Sequence, residues 1–486
     1  MYPVVNPAIR QTLDLPFPST NPRQNKYTIY RQQIEWFYQQ YLADGDFKKL
    51  FLFNDTGFTD VTASGIIDAR KHLLRFGKGT GEEVFYQLPQ LGPYSNIAGQ
   101  KAHLFYIYPK QYSQHVLQLH EYLSNGHKSY KGFYSFTQML LHTERNFSIE
   151  FTNENNPLEE IEQTLQQRQW NPNTRYIAVY ISPHSKTLGE DNSHERQIYY
   201  WVKELLLKHG IVSQCIDVQT LLGQKGDLAY SLPNIAIAMF AKLGGQPWQI
   251  ETAERNELVI GVGAFRQQST QIQYIGSAFC FSNTGQFNRF EYFRQHETKM
   301  LAGSISRSIR EYTQQYGVPQ RLIIHFYKTM SKRETAPIED ALHRLGLHIP
   351  VYVVTINKTM TADWLLFDTN NTDLMPASGT YLALDKRTYL LCNNTRYANK
   401  PASKRDGFPF PVKLKICSTE KRDLENEHLF RELIEQVYQF SRIYWKSVKQ
   451  QPFPVTIKYP EMVAQIAPYF RDGGLPAMGN SSLWFL

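Results

Sequence analysis

Four side chains in the middle of the chain have types and spacing that suit the binding of a phosphate group. Tyr199 and Lys203 are four residues apart in a segment with helical apolar periodicity, so they would share one helix face. Gln214 lies in a short apolar run that predicts a strand returning to the same end, and Lys242 ends a second apolar helix. Their phenol, amide and ammonium groups are the donors that an anion needs.

An ordinary structural explanation exists for the same residues. Tyr and Lys on a helix commonly form a solvated face, and a Lys just before a helix-ending Gly complements the helix dipole. From spacing alone, a phosphate site and a solvated surface both stay open.

The elements that must position these residues alternate between strand and helix from residue 96 to 250. Strands are predicted over 103–108, 176–181 and 212–216, and helices over 112–123, 158–168, 197–209 and 234–242. This alternation favours a parallel sheet covered on both faces, which binds ligands at the carboxyl ends of its strands.

After residue 256 the pattern changes to three successive strands, a helix and a fourth strand, which is the element order of an RNase H core. The strands are predicted over 257–266, 272–282, 288–293 and 321–328. Further on, the pattern predicts a long amphipathic helix that reaches Tyr444 and a strand over 454–459.

The composition favours a nucleic-acid partner. The 486 residues carry 52 Lys and Arg against 44 Asp and Glu, a net charge of +8, together with 31 Tyr. Phosphates attract such cations, and bases stack on aromatic rings. Four scattered Cys without a Cys-x-x-Cys pair indicate a reducing compartment. No apolar run approaches the roughly 18 residues of a membrane span, so we expect a cytoplasmic protein with no membrane partner.

Six short stretches together resemble the MID and PIWI domains of prokaryotic Argonaute proteins, most closely the short archaeal PIWI type that lacks PAZ. They are Tyr199-Tyr200-x-x-Lys203, Ser213-Gln214, the segments 242–248, 259–264 and 454–460, and the terminal Trp484-Phe485-Leu486. The resemblance implies an α/β protein with a Rossmann-like MID domain over 96–250 and an RNase H-like PIWI domain over 251–486. An N-terminal α+β extension and linker would occupy residues 1–95.

The resemblance also implies roles for the four residues. Tyr199, Lys203, Gln214 and Lys242 would hold the 5′ phosphate of a guide strand, RNA or DNA, with the first base stacked on the Tyr199 ring. The carboxylate of Leu486 would bind Mg²⁺ or Mn²⁺ beside that phosphate, because two anionic groups need a bridging cation.

Cleavage in this family requires carboxylates that hold two metal ions about 4 Å apart. Gly263 stands at the position of the first Asp, and Tyr327 stands at the second. Glu461 is the one remaining acid, and a helix-terminal Glu favoured by the helix dipole is its simpler explanation. Since one acid cannot hold two metals, we expect a protein that is not an enzyme.

Basic residues between 386 and 422 far outnumber acidic ones. They are candidates for a wall of the guide–target channel that contacts phosphates and not bases; a solvated loop surface is the alternative. The candidates are Lys386, Arg387, Arg396, Lys400, Lys404 and Arg405, with Lys446 reaching the guide from the long helix.

The leading hypothesis is a catalytically inactive short Argonaute that anchors a small guide and recognises a complementary DNA or RNA strand. The resemblance implies a protein partner with an N-terminal or PAZ-like (APAZ) module and an effector domain such as Sir2, TIR or a nuclease, in defence against plasmids or phage. Two alternatives stay open: an active nuclease with displaced carboxylates, and a small-molecule phosphate-binding protein.

Overall fold

The computed structural model describes most of the chain. The described residues are 25–43, 45–50, 58–95, 97, 102–184, 193–266, 272–285, 287, 291–294, 298–357, 364–397, 407–472, 474–480 and 482–486. Among them, the amino-terminal region contains α1 (Lys26–Phe37), α2 (Gly45–Leu50), β1 (Gly65–Ile66), β2 (Leu74–Phe76), β3 (Gly79–Gly81) and α3 (Val84–Leu91).

The next region forms a parallel sheet with helices on both faces, as the alternating pattern predicts. Its strands are β4 (Ala102–Pro109), β5 (Leu141–Thr143), β6 (Ile149–Phe151), β7 (Arg175–Ser182) and β8 (Val212–Asp217). β5 and β6 pair with one side of β4, and β7 and β8 follow on its other side. The helices are α4 (Ser113–Asn125), α5 (Phe133–Thr137), α6 (Leu158–Gln166), α7 (His194–Lys208), α8 (Val218–Leu221) and α9 (Leu232–Lys242).

The carboxyl-terminal region is built on a nine-stranded mixed sheet. One of its nine strands is β1, from the amino-terminal region. After β9 (Gln249–Ile250), which belongs to a different sheet, the other eight are β10 (Glu257–Arg266), β11 (Gln273–Phe281), β12 (Glu291–Arg294), β13 (Arg321–Phe326), β14 (Val351–Ile356), β15 (Thr380–Ala383), β16 (Thr388–Cys392) and β17 (Val412–Ser418). β10, β11 and β12 form the predicted antiparallel meander, and β13 pairs parallel to β10. β14 then pairs parallel to β13, which completes an RNase H-like core.

Helices cover both faces of this sheet. They are α10 (Thr298–Tyr316), α11 (Lys332–Arg344), α12 (Glu427–Phe440) and α13 (Val455–Ile466). Because side chains alternate along a strand, Leu258 and Ile260 pack with α10 and α11, whereas Val259 joins the core with α12 and α13. No helix in the described part of the chain is long and apolar enough to cross a membrane.

Two sequence predictions for this region are wrong. Residues 455–459 form the start of α13 and not a strand, and α12 ends at Phe440, before Tyr444. The alternating Val-Thr-Ile pattern suggested a strand, but tertiary packing decides the outcome: the backbone of α13 lies directly on Gly261 of β10. Glu461 consequently lies inside α13 and not at its amino terminus.

The described part of the amino-terminal region is joined to both larger regions. β1 pairs with β15 and forms one edge of the large sheet, and β2 pairs with β9. The hydroxyl of Tyr27 in α1 donates to Asn394 Oδ1 at 2.7 Å, and its oxygen lies 3.0 Å from the Phe408 carbonyl oxygen. This segment is therefore an integral part of the folded unit.

Candidate functional site

One small cavity is formed by residues from α7, β8 and the end of the chain. Its volume is about 80 Å³, which is enough for a small anion. The lining residues are His184, Tyr199, Lys203, Gln214, Cys215, Asp217, Lys446 and Leu486. The structure thus brings together three of the four predicted phosphate ligands and Leu486, the residue predicted to bind a divalent cation.

Tyr199 and Lys203 lie on the same face of α7, one turn apart, as their spacing predicts. Both are buried. Burial raises the pKa of Tyr199 well above its usual value, so the phenol stays protonated and can donate a hydrogen bond to an anion. The Lys203 ammonium lies 5.7 Å from the centre of the Tyr199 ring, a cation–π contact that keeps positive charge beside the donor.

Lys242, the fourth predicted phosphate ligand, lies behind Gln214, is only 3% exposed and does not line the cavity. Its Nζ donates to the Ser213 carbonyl at 2.8 Å and to Gln214 Oε1 at 2.7 Å. α9 ends at Lys242, two residues before Gly244, whose φ of +94° suits glycine. Lys242 therefore orients the Gln214 side chain and adds positive charge behind it.

The carboxyl terminus is held at the cavity by buried aromatic residues. Trp484 and Phe485 are 0% and 1% exposed, and the Trp484 indole nitrogen donates to the Gly479 carbonyl at 2.9 Å. Lys203 Nζ donates to the Trp484 carbonyl at 2.9 Å. One lysine thus links α7 to the segment that delivers Leu486.

The sequence prediction missed three cavity residues: His184, Cys215 and Asp217. Each lies at or near the carboxyl end of a parallel strand, His184 just after β7 and the other two in β8. The general rule that parallel sheets bind ligands at this edge could have found them. Lys446 was predicted, but it follows α12 in an irregular segment and does not lie on the helix.

The cavity has donors suited to a divalent cation. Asp217 and Leu486 line it beside Gln214, and Mg²⁺ commonly binds one or two carboxylates together with phosphate oxygens and water. The Asp217 carboxylate already accepts from the Thr220 amide and forms an ion pair with Lys225, both at 2.8 Å. No group of three or more His, Cys, Asp or Glu that could hold a metal occurs among the described residues. A cation in this cavity would therefore need phosphate oxygens to complete its coordination.

Gly263 and Tyr327 lie side by side at the carboxyl edge of the large sheet. In the parallel pairing, Val262 is opposite Phe326, and the Tyr327 amide donates to the Val262 carbonyl at 3.1 Å. Burial raises the pKa of Tyr327, so its hydroxyl stays neutral. Neither residue supplies the charge that a catalytic metal requires.

The space beside Gly263 is filled by the backbone of α13. A Cβ atom at Gly263 would lie 2.4 Å from the Ile457 carbonyl oxygen and 2.8 Å from the Glu461 nitrogen, and one at Gly261 would lie 2.1 Å from the Thr456 carbonyl oxygen. Pro460 has no N–H to donate to that Thr456 carbonyl within the helix. The close approach of helix and strand leaves no room for an aspartate at this position.

The predicted backbone-contacting residues lie in different places. Lys386 and Arg387 are exposed in the turn between β15 and β16, beside α11. Arg396 forms an ion pair with Asp368. Lys400, Lys404 and Arg405 lie outside the described residues.

Comparison with known proteins places the chain in a family. A model described as "Piwi domain" matches residues 187–471, more than half of the chain. The chain belongs to the Piwi domain family. A "Piwi protein" from Archaeoglobus fulgidus is 25% identical over 357 residues, 63% of this chain and 80% of that protein. A "Protein argonaute" from Cereibacter sphaeroides is 24% identical over 344 residues, 64% of this chain and 43% of that protein.

Two solved structures share the fold. Clostridium butyricum Argonaute bound to a guide DNA and a 19-mer target DNA matches with a TM-score of 0.58 at 17% identity, and Drosophila Piwi with 0.58 at 13%. Each match covers 87% of this chain, which spans 54% and 56% of those chains. The predicted Argonaute and Piwi resemblance and the α/β fold with an RNase H-like Piwi domain are confirmed.

Proposed function

We propose that this Piwi family protein anchors the 5′ phosphate of a small guide strand and recognises a complementary strand without cleaving it. The observation that supports the proposal most directly is the small cavity where Tyr199, Lys203 and Gln214 meet Leu486. Its neutral phenol and buried ammonium would bind the phosphate. Mg²⁺ or Mn²⁺, held by Leu486 and the phosphate, would neutralise the opposing carboxylates.

The absence of cleavage is supported by the edge formed by Gly263 and Tyr327. Two-metal hydrolysis needs converging carboxylates, and α13 fills the place where the first would stand. Guide pairing would then supply the sequence specificity while the protein contacts the backbone. As part of the same proposal, target recognition is passed to a partner protein that carries an APAZ-like module and an effector domain, in cytoplasmic defence against plasmids or phage.

The phosphate assignment is tested by comparing 5′-phosphorylated with 5′-hydroxyl oligonucleotides, both DNA and RNA, in a direct binding assay with Mg²⁺. We expect the phosphate to strengthen binding to the wild-type protein. Lys203→Ala should remove most of this gain, about tenfold to a hundredfold, because it deletes a buried charged donor. Lys131→Ala, which removes an exposed lysine that does not line the cavity, is the matched control. Equal affinity of the wild type for both oligonucleotides would refute the assignment.

Cleavage is tested separately with guide-loaded protein, a labelled complementary strand, and Mg²⁺ or Mn²⁺. We expect the labelled strand to remain intact while staying bound. A product cut opposite the middle of the guide would overturn the non-cleaving part of the proposal and leave the phosphate assignment standing.

A further inference from the structure

A second cleft lies on the other side of the large sheet from the phosphate cavity. It has a volume of about 930 Å³ and lies between α11, the end of β17 and the turn between β15 and β16. Its apolar floor is formed by half-buried Met330 and Leu424. Beneath them lie Ile324, Val351 and Val353, which are buried in the core with α10 and α11. The residues that connect to Leu486 belong to the core on the opposite face. The sheet itself therefore separates the two sites.

The rim of this cleft carries an excess of positive charge. Lys332, Lys386, Arg387 and Lys421 line it, opposed by two acids, Glu339 and Glu425. All four cationic residues are exposed. Within the part of the chain that the structure describes, none of their head groups forms an ion pair. The net charge of the rim is thus about two positive charges that the folded chain does not neutralise.

Hydrogen bonds hold the rim in place before any partner arrives. Asp385 Oδ1 accepts from the Arg387 amide at 2.7 Å and from the Thr388 amide at 2.9 Å, which fixes the turn between β15 and β16. The Tyr352 hydroxyl donates to Asp423 at 2.7 Å and fixes the short helix that carries Lys421. A preformed rim reduces the entropy lost on binding.

We propose that this cleft, defined by Lys332, Lys386, Arg387 and Lys421 around an apolar floor, binds an acidic segment of a partner protein. Carboxylates of the segment would pair with the four cations, and its aliphatic side chains would cover the floor. The charge excess of the rim favours an acidic sequence, and the floor requires apolar groups that such a sequence can supply.

A nucleic-acid strand suits the cleft less well. None of the described residues that line it is aromatic, whereas proteins that bind single strands stack bases on aromatic rings. A phosphate backbone would also leave the aliphatic floor uncovered. For Lys386 and Arg387, this protein-docking role replaces the predicted role in the wall of the guide–target channel.

The test uses the full chain and a fluorescent amphipathic peptide with Leu at helical spacing and Glu at the remaining positions. Fluorescence anisotropy measures its binding to the wild type and to Lys332→Glu with Lys421→Glu. The matched control is Arg333→Glu with Arg422→Glu, which makes the same charge change at exposed neighbours outside the cleft. We expect affinity for the peptide to fall about tenfold in the cleft variant and to change by less than about twofold in the control variant.

A second readout uses Cys417, a half-buried free thiol in the wall of the cleft. Mass spectrometry measures its modification by a maleimide; we expect the Leu-Glu peptide to slow the reaction and a Ser-Glu version to leave it unchanged. Equal loss of affinity in both variant pairs would overturn the proposal. So would protection of Cys417 by a DNA duplex but not by the peptide. Affinity for a 5′-phosphorylated oligonucleotide should be the same in all variants, which separates this test from that of the phosphate cavity.

Discussion

Gly263 shows how a single residue type determines both the chemistry and the packing of a site. Glycine supplies no metal ligand, and it also lets the backbone of α13 approach β10 so closely that a Cβ would meet the Ile457 oxygen at 2.4 Å. The absence of a carboxylate at position 263 can be predicted from the sequence. The close contact with α13 cannot, because residues 454–459 have a strand-like pattern and the helix becomes evident only in the folded protein.

Gly263→Asp should therefore fail to create a nuclease and should also destabilise the protein. We expect a loss of about 1–3 kcal/mol, typical of overpacking, measured by chemical denaturation together with the cleavage assay. Gly303→Ala is the control, since a Cβ there has no atom within 4 Å; it should be neutral or slightly stabilising. Metal-dependent cleavage by Gly263→Asp would show that α13 can move aside.

The cavity residues also show which features can be predicted from local sequence and which depend on tertiary contacts. Tyr199 and Lys203 share a helix face, which local spacing is enough to predict. His184 and Asp217 come from separate strands, so finding them requires knowing which strand ends meet. The placement of Lys242 behind Gln214 depends on side-chain contacts with β8, which no local pattern reports.

At the scale of elements, α13 and β13 are joined by a buried histidine. His325 is 0% exposed, and its Nδ1 lies 2.7 Å from the Thr456 hydroxyl. Burial lowers the pKa of His325 to about 3. The folded protein thus keeps this ring neutral at pH values where the unfolded chain, with an ordinary pKa near 6.5, already binds a proton.

Stability should accordingly fall as the pH falls from about 6.5 towards 3, by at most about 1.4 kcal/mol per pH unit for this group. Thermal or chemical unfolding at several pH values measures the slope. His325→Gln, which cannot titrate in this range, should reduce it. Exposed His348→Gln is the control and should leave it unchanged; an identical slope in His325→Gln would contradict the prediction.

The carboxyl-terminal segment is the element that completes the phosphate cavity. If a divalent cation joins Leu486 to the phosphate, EDTA should weaken binding of a 5′-phosphorylated oligonucleotide by about tenfold, one charge-assisted contact. Binding of the 5′-hydroxyl form should not change. In a variant that lacks Leu486, affinity for the 5′-phosphorylated oligonucleotide should be the same in EDTA as in Mg²⁺. If EDTA still weakens binding to this variant, the cation lies elsewhere.

At the scale of the whole molecule, α7 holds the far end of the chain at two consecutive residues. Lys203 donates to the Trp484 carbonyl, and Glu204, 1% exposed, accepts from the amides of Arg471 at 2.7 Å and Asp472 at 3.2 Å. The parallel-sheet region and the carboxyl-terminal segment are therefore fastened to each other beside the small cavity lined by Tyr199 and Lys203.

Glu204→Ala should destabilise the protein, because it removes the buried carboxylate that accepts hydrogen bonds from the partly buried amides of Arg471 and Asp472. We expect the free energy of unfolding to fall by about 1–3 kcal/mol and the preference for 5′-phosphorylated oligonucleotides to weaken, measured by unfolding and by binding. Exposed Glu195→Ala in the same helix should cost less than about 1 kcal/mol. If Glu204→Ala changes stability but not the phosphate preference, its bonds to residues 471–472 do not help to position Leu486.

The contact between Gly263 and α13 also has an evolutionary consequence. One base change converts some glycine codons to an aspartate codon, so an aspartate at position 263 is a short mutational step away. Its side chain would meet the backbone of Ile457 and Glu461, and it could be accepted only after the helix had already shifted. If the proposed function is correct, lineages with this packing would have difficulty acquiring a metal-binding carboxylate at this position by a single substitution.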